Sequence, residues 1–579
     1  MFKLLKPYLK DYKFQLIVGP LCKLLEAIFE LIVPLVMASI IDVGVANKDT
    51  NYVIKMGIVM VLLGVVGLLS ALVCQYNASV ASQGCGTKIR NALLKHINTL
   101  SHKELDELGT PSLITRMTND INQVQSAVAM LIRLVIRAPF LVMGALVMSV
   151  IINWQLSIIF FVSAFLIALV LYLVMSKSVP FFKAIQKKLD KVSLESRQNL
   201  SGNRVIRAFS KQNQEQKNFE ETSEDLSKTC IRVSKLSALL SPVTFVITNL
   251  AIVLIVWFGS KGANNGIIMS GDIIALVNYM TQILLAMVVV ANLVVLFTKA
   301  SASAGRINQV FETKSSVIEK ENAVINPDKN APKIEFKNVS FSYNTEKDKL
   351  SLNDVSFKIN KGDTVGIIGG TGSSKTTLIN LIPRFYDVTD GEILVENVNV
   401  KDYPFKTLRK QIGIVPQQSV LFSGTIRDNL KWQNKSATDE EILKALSIAQ
   451  AKDFVMEKPL GLDTMVTQGG KNFSGGQRQR LCIARAIVSM PEILILDDSF
   501  SALDFATDSA LRKALKEETE NMTVIIVSQR CSTIKNSDLI LVLEEGSIAG
   551  KGTHKELFEN CRLYKEICLS QLSEQEVLQ

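Results

Sequence analysis

Six apolar runs in the first 300 residues set the tightest limit on what this chain can fold into. A helix that crosses a bilayer needs roughly 20 apolar residues, because each advances it about 1.5 Å through a hydrocarbon core about 30 Å thick. The runs at 15–42, 53–75, 131–152, 155–176, 237–259 and 273–298 meet that length. With no water in hydrocarbon, each must be helical so that its N–H and C=O groups pair within the segment. The joins are unequal. Segments 76–130 and 177–236 are long and show helical periodicity, whereas the other three are short.

Charge orients these spans. Segment 177–236 carries Lys183, Lys187, Lys188, Lys191, Arg197, Arg204, Arg207 and Lys211, which places it in the cytoplasm. The tips ANKDTN and KGANNG carry little charge and face out, so both termini are expected inside. The opening MFKLLKPYLKDYK shows no cleavable signal pattern. Its Phe2, Leu5, Leu9 and Tyr12 recur at helical spacing among lysines, the pattern of an amphipathic elbow helix (1–14) on the inner membrane surface.

Composition agrees with a chain of two halves: 48% of the 579 residues are hydrophobic and only 20% charged. The net charge of +10 lies in segments flanking the apolar runs, which marks membrane sidedness and not nucleic-acid binding. Eight cysteines are scattered without a C-x-x-C pair, so reduced thiols are expected, with neither a disulfide framework nor a zinc site. A transmembrane domain at 15–305 is followed by a polar linker at 306–332. Beyond it, strand patterns (KIEFKNVSFSY, DTVGII, EILILD) alternate with helical ones, as in an α/β domain with a largely parallel sheet at 333–570; 571–579 is a tail.

The second half holds the chemistry. GGTGSSKTT (Gly369, Gly370, Thr371, Gly372, Ser373, Ser374, Lys375, Thr376, Thr377) lies between a strand pattern and a helix pattern, the setting of a phosphate-binding loop. Backbone N–H groups and the Lys375 ammonium would hold phosphates, and the Thr376 hydroxyl a Mg²⁺. ILILD delivers the Asp497 carboxylate from an apolar strand, as a metal-holding acid requires. FSGGQ (Phe473, Ser474, Gly475, Gly476, Gln477) opens a helix pattern, so its amides form a second anion site.

In this order and spacing the set resembles the ATP-binding cassette family, and the six spans with two long cytoplasmic loops resemble its exporter half-transporters. The resemblance implies a six-span α-helical transmembrane domain of the type I exporter fold followed by an α/β P-loop nucleotide-binding domain, with ATP and Mg²⁺ as cofactors. It implies that Tyr343 stacks on adenine, that Gln417 reaches toward Mg²⁺ beside Thr376 and Asp497, and that Ser501–Asp504 cross a dimer interface. Gly109–Asp120 and Gln198–Phe209 look like the two coupling helices. Two cassettes would meet head to tail, the FSGGQ of each completing the partner's ATP site.

Three positions depart from that family's pattern. Ser374 replaces a glycine, Asp498 stands where an active cassette has glutamate, and Gln529 stands where a histidine usually follows the strand. Aspartate falls short of glutamate by one carbon, roughly 1.5 Å, and a misplacement of about 1 Å can cost on the order of a hundredfold in rate. Glutamine donates a hydrogen bond but neither carries charge nor exchanges a proton near neutral pH. Gln468 also replaces an acid many exporters carry before the signature. With the signature nearly complete, the chain resembles the degenerate-site subunit of heterodimeric bacterial multidrug exporters, hydrolysing ATP poorly at its own site. The alternatives are a homodimeric lipid or drug flippase with slow ATPase and an ATP-gated regulatory subunit. In the first span, Lys23 and Glu26 are spaced as an ion pair, Glu30 is a candidate for a substrate cavity, and Asn249, Asn278 and Gln282 add polar groups to later spans. The resulting expectation is a multi-pass protein of a bacterial cytoplasmic membrane that exports small amphipathic compounds with a second half-transporter.

Overall fold

The computed structural model describes residues 1–320, 326–343, 350–518 and 521–571. The expected tail lies outside them from residue 572 on, as do linker residues 321–325 and the side chain of Lys183. Contacts divide the chain into two units, Met1–Asn98 with Thr110–Glu312, and Thr99–Gly109 with Thr313–Gln579.

Among the described residues, the first unit has six helical stretches long and apolar enough to cross a membrane: Leu4–Val45, Thr50–Ile97, Thr110–Ile152, Trp154–Ser178, Gln212–Asn264 and Ser270–Glu312. They follow the expected runs but extend well past them. The 48 residues of Thr50–Ile97 reach about 70 Å at 1.5 Å each, more than twice a hydrocarbon core. The helix beginning at Trp154 likewise continues to Ser201, so the long segments between spans are largely helix prolonged beyond the lipid. Small buried residues, including Ala27, Ala145, Ala164, Ala251 and Ala275, sit where helices meet and let their backbones approach.

The first span contains Pro34 inside the helix Lys13–Ser39. Proline has no N–H, so the Glu30 carbonyl four residues earlier loses its helical partner. Gln282 Nε2 donates to that carbonyl (3.2 Å), and the buried Tyr279 hydroxyl donates to the adjacent Leu31 carbonyl (2.5 Å). Tyr279 and Gln282 lie three residues apart, hence on one face of Ser270–Glu312. The charges nearby are also paired. Lys23 binds Glu26 at 2.6 Å, and Arg137 binds Glu30 at 2.6 Å.

In the second unit a six-stranded sheet runs in the order Ser547–Gly552, Leu539–Glu544, Thr364–Gly369, Thr523–Val527, Ile493–Asp497, Ile412–Val415. All neighbours are parallel except the first pair. Every residue of Ile493–Asp497 and Thr523–Val527 is buried, as parallel strands covered on both faces must be. A four-stranded antiparallel sheet carries Ile334–Phe341 at its centre.

The short helix His102–Leu108 belongs to this unit although it precedes the rest by some 200 residues. The Ser101/Glu104 capping box starts it, and Gly109, at φ 72°, ends it. Glu104 also accepts from the Ser316 amide (3.1 Å), His102 stacks on Phe385 (4.3 Å between centroids), and Asp106 accepts from the Tyr386 hydroxyl (3.1 Å). The expected first coupling helix, Gly109–Asp120, therefore misplaces the segment that packs with the cassette, which ends where that stretch begins. Downstream, Asp120 is buried in the first unit and paired with Arg306.

The expectation of reduced thiols needs correction at one pair. Cys531 and Cys568 are joined as a disulfide, with Cα atoms 5.6 Å apart, and His554 offers a ring nitrogen within 4.8 Å of both sulfurs. Their separation of 37 positions fits no motif. Only the folding of the Arg562–Leu569 helix against Cys531–Ile534 brings them together.

A buried carbonyl left without a donor costs about 1–3 kcal/mol, so Gln282→Leu is expected to destabilise the first unit by that amount. In a Pro34→Ala background an alanine N–H restores the missing donor, and the same substitution should cost less. Thermal unfolding of the four variants in one detergent measures the coupling; equal costs in both backgrounds would show that Gln282 does not serve that carbonyl.

Candidate functional site

Sheet register assembles the site. Val527 pairs with Ile367 on one side and Asp497 on the other, so three neighbouring parallel strands end together. The loop after Gly369, the Asp497–Asp498 pair and Ser528–Gln529 thus share the carboxyl edge of the sheet, where open α/β sheets bind ligands. A cavity of about 300 Å³ lies there, lined by Thr371, Gly372, Ser374, Lys375, Thr376 and Thr377 of the loop and by Gln417, Asp497, Asp498 and Gln529.

Each loop residue has a distinct place. A Cβ on Gly369 would come within 2.2 Å of the Leu543 carbonyl, so only glycine lets the chain leave the strand so close to its neighbour, whereas one on Gly370 or Gly372 would meet nothing. The buried Lys375 ammonium donates to the carbonyls of Gly369 (2.9 Å) and Gly370 (2.6 Å) and to Ser373 Oγ (3.1 Å). Burial lowers its pKa, against the upward pull of Asp497 and Asp498. Thr376 Oγ1 donates to Asp497 at 3.0 Å. Burial raises the Asp497 pKa above the usual carboxylate range, opposed by the Thr376 hydrogen bond and reinforced by Asp498. A hydroxyl and a buried carboxylate side by side are hard oxygen ligands suited to Mg²⁺, and a lysine facing an open glycine loop suits phosphate. The residues present fit a magnesium nucleotide.

The departures from the family pattern have a backbone dimension invisible in the sequence. Ser374 sits at φ 68°, ψ 25°, the left-handed conformation that glycine adopts freely and other residues adopt at a cost of about 1–2 kcal/mol. Asp498 also has positive φ, 47°. Aspartate is among the residues enriched there, so this corner accepts it more readily than most side chains. Burial raises the Asp498 pKa, with Ser501, Arg530 and Lys375 pulling it down.

Other predicted residues lie as follows. The Tyr343 hydroxyl donates to Thr377 Oγ1 (3.0 Å), and its ring meets Tyr386 edge-on at 5.3 Å. Ser474 and Gln477 form a reciprocal capping box at the start of Gly475–Ile487, with Ser474 and Gly475 exposed, Gly476 and Gln477 half-buried and Phe473 buried. Asp504 caps Thr507. In the first unit, Glu30 lines a cavity of about 340 Å³ with Val33, Pro34, Met37, Met60, Asn278 and Gln282. One of its oxygens is occupied by Arg137, a partner that the sequence reading missed although Arg133 and Arg137 both interrupt the third span. Asn249 and Asn278 bond carbonyls of their own helices, and Gln282 alone of the three is bonded across helices. Also missed was Gln571, which donates to the Gln529 carbonyl (2.8 Å) and accepts from the Cys531 amide (2.9 Å).

Known families and proteins match this arrangement. The family described as ABC transporter transmembrane region matches residues 16–287, and that described as ABC transporter matches 352–501. An uncharacterised ABC transporter ATP-binding protein of Bacillus subtilis, YfiB, is 37% identical over 564 residues, 97% of each chain. An ATP-dependent lipid A-core flippase of Pseudoalteromonas translucida is 33% identical over 93% of this chain and 92% of its own. The fold matches a bacterial Atm1-family ABC exporter with ATP bound at a TM-score of 0.81, covering 97% of this chain and all of that one at 22% identity.

Replacing Ser374 by glycine should raise stability by up to about 1 kcal/mol, relief of the left-handed strain being partly offset by glycine's greater chain entropy. Scanning fluorimetry of wild type and Ser374→Gly checks this, and a lower Tm in the variant would show that the serine carries no strain.

Proposed function

Because the chain belongs to the ABC transporter family, with transmembrane and ATP-binding regions in one polypeptide, we propose that it is one half of an ATP-driven exporter whose own phosphate loop forms a degenerate ATP site. The observation that carries this reading is the pair Asp498 and Gln529 on the cavity wall, where the family's glutamate and histidine stand. Lys375 and the loop amides hold the phosphates; Thr376, Asp497 and Gln417 hold the Mg²⁺. The metal, when bound, neutralises charge on the phosphates. Asp498 reaches too short to orient water well, and Gln529 donates a hydrogen bond without exchanging a proton.

The signature residues Phe473–Gln477 would complete the site of a second half-transporter that supplies the stronger catalytic pair. ATP closes the two cassettes, the spans open outward, and hydrolysis at the partner's site resets them. Both termini and the cassette face the cytoplasm of a bacterial cell, on the charge asymmetry of the loops. The cargo is amphipathic, a drug or a lipid. The Glu30 cavity, whose wall mixes Val33, Pro34, Met37 and Met60 with Asn278 and Gln282, supports this class, its carboxylate being paired with Arg137. Likeness to a lipid A-core flippase favours, as a second reading, a homodimeric lipid flippase with slow hydrolysis at both sites.

Purified alone in lipid nanodiscs, the chain is expected to turn over ATP slowly, and the Asp498→Glu, Gln529→His double variant at least about tenfold faster. Brisk turnover by the unaltered chain without a partner would overturn the degenerate-site reading and support the homodimer.

A further inference from the structure

The disulfide lies where it can act on the nucleotide site. Cys531 follows Gln529 by two residues and opens the helix Cys531–Ile534, while Cys568 lies in the helix Arg562–Leu569. Both cysteines are fully buried. Gln571, three residues past Cys568, brackets the same stretch through the Gln529 carbonyl and the Cys531 amide. The second helix, through Cys568, and Gln571 just past its end thus grip residues 529–531 by one covalent bond and two hydrogen bonds, and Gln529 forms part of the cavity wall.

We propose that Cys531 and Cys568 form a reversible thiol–disulfide switch that sets how freely the Gln529 segment adjusts to bound nucleotide. The proposal rests on the assignment of Gln529 to the ATP site. The cassette would face a reducing cytoplasm, where a disulfide persists only as a transient or sensing bond. The oxidant class is a small-molecule disulfide. One cysteine thiolate attacks it, forming a mixed disulfide and releasing one thiol; the second thiolate then attacks the protein sulfur of the mixed disulfide, closing the Cys531–Cys568 bond and releasing the other thiol. The two protons lost by the cysteines end on the two released thiols, and the small disulfide takes the electron pair. Because both sulfurs are buried, exchange requires local opening, in which the Arg562–Leu569 helix lifts the face bearing Tyr564 and Cys568. Once closed, the bond holds the segment after Gln529 against that helix. When it is reduced, the segment loses its covalent tie and keeps only hydrogen bonds, to Gln571 and, through Arg530 and Ser532, to Ser501 and Arg512, and it can then follow the nucleotide.

The test uses the full chain in nanodiscs, equilibrated with glutathione disulfide or with dithiothreitol. Mass spectrometry of proteolytic fragments scores the Cys531–Cys568 cross-link, and stopped-flow with a fluorescent ATP analogue gives its dissociation rate. Oxidation is expected to produce the cross-linked peptide and to speed dissociation about fivefold, reversibly on reduction, with Cys568→Ser showing neither response. Three results would each overturn the proposal: no cross-link in oxidised wild type, a cross-link without change in dissociation, or one equivalent of zinc retained by purified wild type and lost in Cys568→Ser, which would make Cys531, His554 and Cys568 a metal site. Failure of the degenerate-site reading shows separately, as fast ATP turnover in the reduced chain, and leaves the ratio of oxidised to reduced rates to decide this proposal.

Discussion

A carbonyl inside an apolar helix has no water to turn to, and the packing of the first unit answers that constraint. Pro34 removes one donor from the first span; Gln282 of the last span replaces it, and Tyr279 beside it adds a hydrogen bond to the neighbouring Leu31 carbonyl. Spans distant in sequence are thereby joined at one depth by polar contacts that greasy surfaces alone would not specify. The ion pairs of Glu26 and Glu30 follow the same rule for charge, each carboxylate finding a cation nearby.

In the second unit, backbone register does the equivalent work. No single loop builds the nucleotide cavity. Three strands ending at one level place a lysine, two aspartates and a glutamine around it. The close approach of Gly369 to Leu543 and the left-handed turn at Ser374 show what the glycines of such a loop are for: one admits a neighbouring strand, the other reverses the chain.

Much of this was legible in the sequence because it is local. An apolar run announces a span, a strand–loop–helix pattern announces the phosphate loop, and FSGGQ ahead of a helix pattern announces the anion site at that helix start. The features that escaped are contacts between residues far apart. Arg137 and Glu30 are separated by 107 positions, Gln282 and Glu30 by 252, and Cys531 and Cys568 by 37. Periodicity carries no information about such pairs. The conformation of Ser374 escaped for another reason: a residue's name shows a departure from a pattern, but only φ shows what the departure costs.

The cassette is discontinuous in sequence. His102–Leu108 packs with residues 313 onward, with His102 covering Phe385 and Glu104 accepting from the Ser316 amide. A soluble fragment cut at residue 313 would begin with a bare aromatic face and an uncapped amide, and its solubility and folding would misrepresent the intact domain. The natural boundary of this cassette is a pair of segments, so fragments intended for nucleotide binding must carry residues 99–109 in some form, in cis or as an added peptide.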